Sequence, residues 1–184
     1  MRFPRATHLV IGFELESDAR RVMEVLPKRF EKFGLTIHPE KTRLIAFRPP
    51  AQRSGERKGE GTFNFLGFTH MWAKSQRGFW VIKRKTMRKR LQKAKSAIWV
   101  WCRRNRHEPL AEQHKTLVQK LRGHYQYYSL RSNSTSVTNY WWYTRRSWRY
   151  WLSRRSTKSN INWKKYLKML EAYPLPRPRI IHQI

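Results

Sequence analysis

The chain predicts an α+β fold: three strands and one helix, then a β-hairpin, then a bundle of helices. Three observations lead there. A compact apolar run with β-branched residues occupies 9–13, long enough for a strand and too short for a helix, and 35–38 and 43–47 alternate or run apolar. From Thr86 onward the apolar residues recur at spacings of three and four. The 184 residues are also 39% hydrophobic and 14% aromatic, so a core can form despite a formal net charge of +30.

In chain order, Leu9-Val10-Ile11-Gly12-Phe13 predicts a buried strand. Glu14 to Asp18 supplies acidic residues and capping candidates, with Asp18 read as a cap. Ala19, Val22, Leu26, Phe30 and Phe33 then share one face of an amphipathic helix that ends at Gly34. Residues 35–38 and 43–47 predict two more strands, with Pro39 and Glu40 marking the turn between them. Residues 48–61 hold almost nothing apolar and predict a mobile surface loop. Residues 62–70 and 79–82 flank the polar stretch Lys74 to Gly78 and predict a hairpin.

Four helices follow. Met87, Leu91, Ala94, Ile98 and Trp101 mark the first, which stops near Asn105 to Pro109. Leu110, Leu117, Val118, Leu121, Tyr125 and Tyr128 mark the second, with Gly123 inside it at a cost of about 1 kcal/mol relative to Ala. The Ser/Asn/Thr run 132–139 reads as loop and cap. Val137, Trp141, Trp148 and Trp151 or Leu152 give the third helix, and Trp163, Tyr166, Leu167 and Leu170 the fourth, capped at Ser159 or Asn160. The proline-rich tail from Tyr173 to His182 is expected to be extended. The chain thus divides into residues 1–60, 61–85 and 86–184, without an internal repeat.

Composition narrows the function classes. One cysteine, Cys102, rules out an internal disulfide framework and multi-cysteine zinc sites. No apolar run approaches the ~20 residues that span a bilayer, and 9–13 is too brief for a signal sequence, so a soluble cytoplasmic protein is expected. The charge is unevenly placed: residues 1–60 carry 13 basic and 8 acidic residues, residues 61–184 carry 28 and 3. Such a surplus points to a polyanion, with RNA ahead of DNA and of an anionic membrane. Basic residues interleave with aromatics in 83–90 and 145–155, where cations can meet phosphates and rings can stack on bases. Helical spacing assigns Trp141, Trp148 and Trp151 to core packing instead. Cys102 is expected to pack beside Trp101, and no histidine pair has the spacing of a zinc hydrolase.

Four motifs in order resemble a known family. They are Val10-Ile-Gly-Phe-Glu14 before the amphipathic helix, Phe33-Gly-Leu-Thr-Ile-His-Pro-Glu-Lys-Thr42, Phe65-Leu-Gly-Phe68, and Leu121-Arg-Gly-His-Tyr-Gln-Tyr-Tyr128 with the tail 173–182. This order resembles the C-terminal portion of group II intron reverse transcriptases, from the end of the palm through the thumb or maturase domain. The resemblance implies a truncated palm of three strands and one helix, then a primer-grip-like hairpin and a basic helical thumb. It places Lys41 near an incoming nucleotide and Phe65, Leu66, Gly67 and Phe68 at the primer end. The basic runs themselves make Arg84, Lys85, Arg88, Lys89, Arg122, Arg145, Arg146, Arg149, Arg154 and Arg155 candidates for phosphate contact with RNA, and His124, within Arg122-Gly-His-Tyr125, the best RNA-facing histidine.

One departure bears on activity. The family's Tyr-Ala-Asp-Asp is here Arg5-Ala6-Thr7-His8, and the only Asp in the chain is Asp18. Polymerisation needs carboxylates to hold two Mg²⁺ ions, and Thr7 and His8 cannot replace them. No catalytic residue, metal site or cofactor is therefore expected in the isolated chain. Mg²⁺ enters only if a separate chain supplies the fingers, the aspartates and the remaining palm. The other expected partner is RNA, as folded intron or template-primer duplex; a relic with generic polyanion affinity is the third reading.

Overall fold

The computed structural model describes residues 8–50, 61–156 and 160–182. The expected loop lies largely outside them, as do Arg5, Ala6, Thr7 and the cap candidate Ser159. The described chain is α+β, with five helices and one three-stranded antiparallel sheet. Packing divides it into two units, residues 1–66 with 71–81 and residues 67–70 with 82–184. Residues 61–85, expected to form a separate segment, contribute to both.

Helix α1 spans Glu16–Glu31. Its first-turn Glu16 and Asp18 suit the positive end of the helix dipole, and Arg20 pairs with Glu16 one turn away. Leu15 is the N-cap, so Asp18 lies inside the helix and caps nothing through its side chain. The helix ends as expected, because Gly34 takes φ +68° while Leu35 N–H reaches Phe30 C=O at 3.0 Å and Gly34 N–H reaches Glu31 C=O at 2.9 Å.

The three expected strands at 9–13, 35–38 and 43–47 do not form; Pro39–Lys41 is a single 3₁₀ turn and the rest is irregular. A strand persists only when a neighbour takes its backbone hydrogen bonds and a packed layer covers its apolar face. Here Leu9, Val10, Ile11, Phe13, Leu35, Leu44 and Ile45 are each 38% exposed or more, so no layer among the described residues covers them. In residues 8–50 only Ala19 is buried. The same unit has a small aromatic contact, in which Phe47 meets the Phe63 ring edge-on at 5.0 Å and Trp72 at 5.5 Å. Gly61 is required beside it, since a Cβ there would stand 2.1 Å from the Ala46 carbonyl oxygen.

The sheet has the order β1-β2-β3, with β1 at Phe63–Phe65, β2 at Phe68–Lys74 and β3 at Trp80–Thr86. The expected hairpin is present and longer on its second arm. The single strand expected over 62–70 is divided by a two-residue turn at Leu66 and Gly67, with φ 46° and 80°. Positive φ at both central residues is the primed-turn geometry that matches strand twist. Asn-Gly is its usual signal, so Leu-Gly hid it.

Residues 82–182 build the main core. Helices α2 (Arg88–Arg104), α3 (Leu110–Tyr128), α4 (Ser134–Leu152) and α5 (Trp163–Ala172) match the four expected. The core gathers Ile98 and Cys102 from α2, Leu117, Leu121 and Tyr125 from α3, and Tyr140, Trp141, Trp148 and Leu152 from α4. Helix α4 begins at Ser134, inside the run expected to be loop. Burial of Val137 and Tyr140 outweighs the weak helix preference of Ser, Thr and Asn. The α5 cap is Asn162, which accepts from Lys165 N–H at 2.9 Å, two residues beyond the expected cap. Trp163 and Leu167, expected in the core, are 42% and 50% exposed.

The tail is extended and docked. Prolines cannot donate but their carbonyls accept: Tyr125 Oη–H bonds Pro176 C=O at 2.9 Å, and a His114 ring nitrogen meets Pro174 C=O at 2.9 Å. Leu175 is buried, and Ile181 and His182 N–H both reach Ser129 C=O at 3.1 Å.

Candidate nucleic-acid interface

The helical unit presents cations and almost no anions. Residues 61–184 contain only Glu108, Glu112 and Glu171 as acids. Among the described residues, no Lys or Arg beyond residue 81 pairs with a carboxylate. Helix α2 carries exposed Arg88, Lys89, Arg90 and Lys93 at one end and Arg103 and Arg104 at the other, along about 25 Å of axis. With no nearby carboxylate, these charges remain available to phosphates.

The sequence-predicted contacts separate into two groups. Lys85, Arg88, Lys89, Arg122, Arg146 and Arg154 are exposed. Arg84 is half-buried, its backbone N–H and C=O both bonded to the Ser132 hydroxyl. Arg145, by contrast, is 9% exposed, and its guanidinium lies 4.7 Å from the Trp141 ring centre and 4.9 Å from that of Trp142. Aromatic faces offset part of the cost of burying that cation. Arg149 stacks over Trp163 at 4.5 Å and donates to Ile161 C=O, while Arg155 donates to the carbonyls of Arg106 and Glu108. Arg149 thus ties α4 to α5 and Arg155 ties the end of α4 to the α2–α3 connection, while Arg145 folds back onto the rings of α4 itself. Arg154 lies over Tyr150 at 3.5 Å and stays exposed.

His124, expected to face RNA, packs between rings, 3.9 Å from the Tyr140 centroid and 4.6 Å from that of Tyr128. Burial lowers its pKa to about 4, so it is neutral at pH 7. Burial also pushes the Cys102 thiol up to about 12, which suppresses the nucleophilic thiolate. Cys102 is a core residue, as its sequence context suggested.

The resemblance-derived positions lie as follows. Lys41 ends the 3₁₀ turn and is exposed. Phe65 to Phe68 form the β1–β2 turn: Leu66 is 52% exposed, whereas Phe68 is buried, stacked on Tyr127 at 5.7 Å and edge-on to Tyr128 at 5.3 Å. A Cβ at Gly67 would stand 3.1 Å from Tyr128 Oη, so packing as well as φ selects glycine. At Gly123 a Cβ would meet nothing within 4 Å.

One site went unnoticed in the sequence. Ser134, Thr135, Thr138, Asn139 and Trp142 line a shallow hollow on α4, and Trp142 is 48% exposed. Helical spacing places Trp141 on the core stripe with Val137 and Trp148; Trp142, one residue on, falls outside that stripe and carries no other signal of a site.

Among the described residues, no three His, Cys, Asp or Glu side chains are grouped to hold a metal. No helix among them is long and apolar enough to cross a membrane. No family model, no curated protein and no solved structure matches the chain significantly.

Proposed function

We propose that this chain binds structured RNA through its helical unit, in the manner its resemblance to group II intron maturases implies, and does not polymerise nucleotides alone. The observation that carries this is the set of exposed, carboxylate-free cations on α2, α3 and α4. Their contacts would go to phosphates and to the shape of the RNA, with little base-edge readout. The lack of polymerase activity follows from Arg5-Ala6-Thr7-His8 standing where the family carries its aspartates.

The test is affinity for a folded group II intron RNA against a length-matched unstructured RNA, titrated with salt. A preference that survives physiological salt supports the reading. Equal binding that vanishes with salt leaves a basic protein with generic polyanion affinity. Replacing Arg88, Lys89, Arg122 and Arg146 by Ala is expected to weaken binding and flatten the log–log salt slope by roughly 0.7 to 0.9 for each phosphate no longer neutralised. An unchanged slope removes them from the interface.

A second reading is favoured by the exposed apolar side chains of residues 9–45. A separate chain supplying fingers, remaining palm and the Mg²⁺-holding aspartates would cover them and complete an RNA-directed DNA polymerase. Primer extension upon mixing with such a chain is its test, and no extension counts against it.

A further inference from the structure

The hollow on α4 has a composition that a phosphate-tracking surface does not need. Thr135, Thr138, Asn139 and Trp142 lie at i, i+3, i+4 and i+7, on the face opposite the buried Val137, Tyr140 and Trp141. No carboxylate lines it. Two hydroxyls and an amide stand beside an indole that keeps 48% of its surface open, in a helix whose other large apolar residues are buried or half-buried.

The ring is also held in place. The Arg145 guanidinium lies 4.9 Å from its centre, and Trp141 meets it edge-on at 4.8 Å. An indole braced by a buried cation and a buried ring loses little freedom when something stacks on its open side. Lys95 Nζ donates to Asn139 Oδ1 at 2.8 Å and lies 5.3 Å from the Tyr143 ring, which places a positive charge at the edge of the hollow. With Oδ1 engaged, the Asn139 amide N–H groups are left to donate to an acceptor.

We propose that this hollow binds one unpaired nucleobase of the RNA, stacked on Trp142, with Asn139 and the Thr135 and Thr138 hydroxyls at its polar edge and Lys95 beside its phosphate. This rests on the RNA-binding reading and adds a target to it: a bulged or single-stranded nucleotide flanking the duplex that the cations hold. Every base has a π-face, so stacking tolerates any sequence, while the paired bases of a duplex are not available to it.

The test uses the full chain and three RNAs of equal charge: a blunt duplex, a duplex with a two-nucleotide overhang, and that second duplex with abasic overhang positions. The wild type is expected to bind the overhang duplex about tenfold more tightly than the blunt or abasic forms. Trp142→Ala is expected to remove that difference and leave blunt-duplex affinity within about twofold, whereas Trp142→Phe, which keeps a ring, retains most of it. Equal binding of the overhang and abasic duplexes by the wild type overturns the proposal without any variant. So does a Trp142→Ala protein that keeps the overhang preference, an outcome that would leave the hollow to a protein partner. Failure of the wild type to bind any of the three RNAs would instead sink the RNA-binding reading itself.

Discussion

Burial decides what His124 can do. In water an imidazole titrates near pH 6.5, but between Tyr140 and Tyr128 its charged form loses hydration and its pKa falls to about 4. Between those values the unfolded chain takes up a proton that the folded chain refuses. Stability therefore rises with pH across that window, by at most about 1.4 kcal/mol per unit, and levels off above it. Replacing His124 by Phe, which preserves the ring stack, is expected to flatten the fall in melting temperature from pH 7 to 4.5. An unchanged pH profile in that variant would assign the loss to another group. Arg145 meets the same burial in another way. The fold surrounds its guanidinium with indole faces, and a residue with the sequence context of a phosphate contact becomes part of the core.

At the scale of elements, one side chain joins the strand, the α3 end and the α4 start. Asn133 accepts from Thr86 N–H at 2.8 Å and donates to Thr86 Oγ1 at 2.7 Å and to Tyr128 C=O at 2.8 Å, all with the residue buried. A comparable junction links α3 to α4, where Gln113 accepts from the buried Trp148 N–H at 2.8 Å and donates to Glu108 C=O at 2.8 Å. Removing a buried hub leaves its partners dry and unpaired, which costs more than the bonds contributed. Asn133→Ala is expected to lower unfolding free energy by about 2–3 kcal/mol, measured by urea denaturation. A loss below ~0.5 kcal/mol would mean the junction is held by packing alone. The helices themselves were legible because their apolar period is carried by residues that reach the core, such as Leu117, Leu121, Trp148 and Leu152. The α4 start was not, because the competition between Ser/Thr side chains and the backbone is settled by what Val137 and Tyr140 bury.

The whole molecule is uneven in stability. Residues 82–182 hold a continuous core, whereas in 8–50 only Ala19 is buried. Local opening free energy follows buried apolar contact, so amides of α1 are expected to exchange with solvent far faster than those of α3 and α4. Native-state hydrogen exchange on the monomer reads this, and α1 protection equal to that of α4 would overturn it. The sequence by itself determined the α+β class, the four basic helices, most of the aromatic core residues and the uneven charge, because periodicity and composition are local or additive properties. Only the tertiary structure decided that the early apolar runs are not strands, which arginines face water, and that Trp163 stands open despite its core spacing. Those depend on which surface another element covers, and covering is a property of pairs of segments distant in the chain, absent from the pattern of either one.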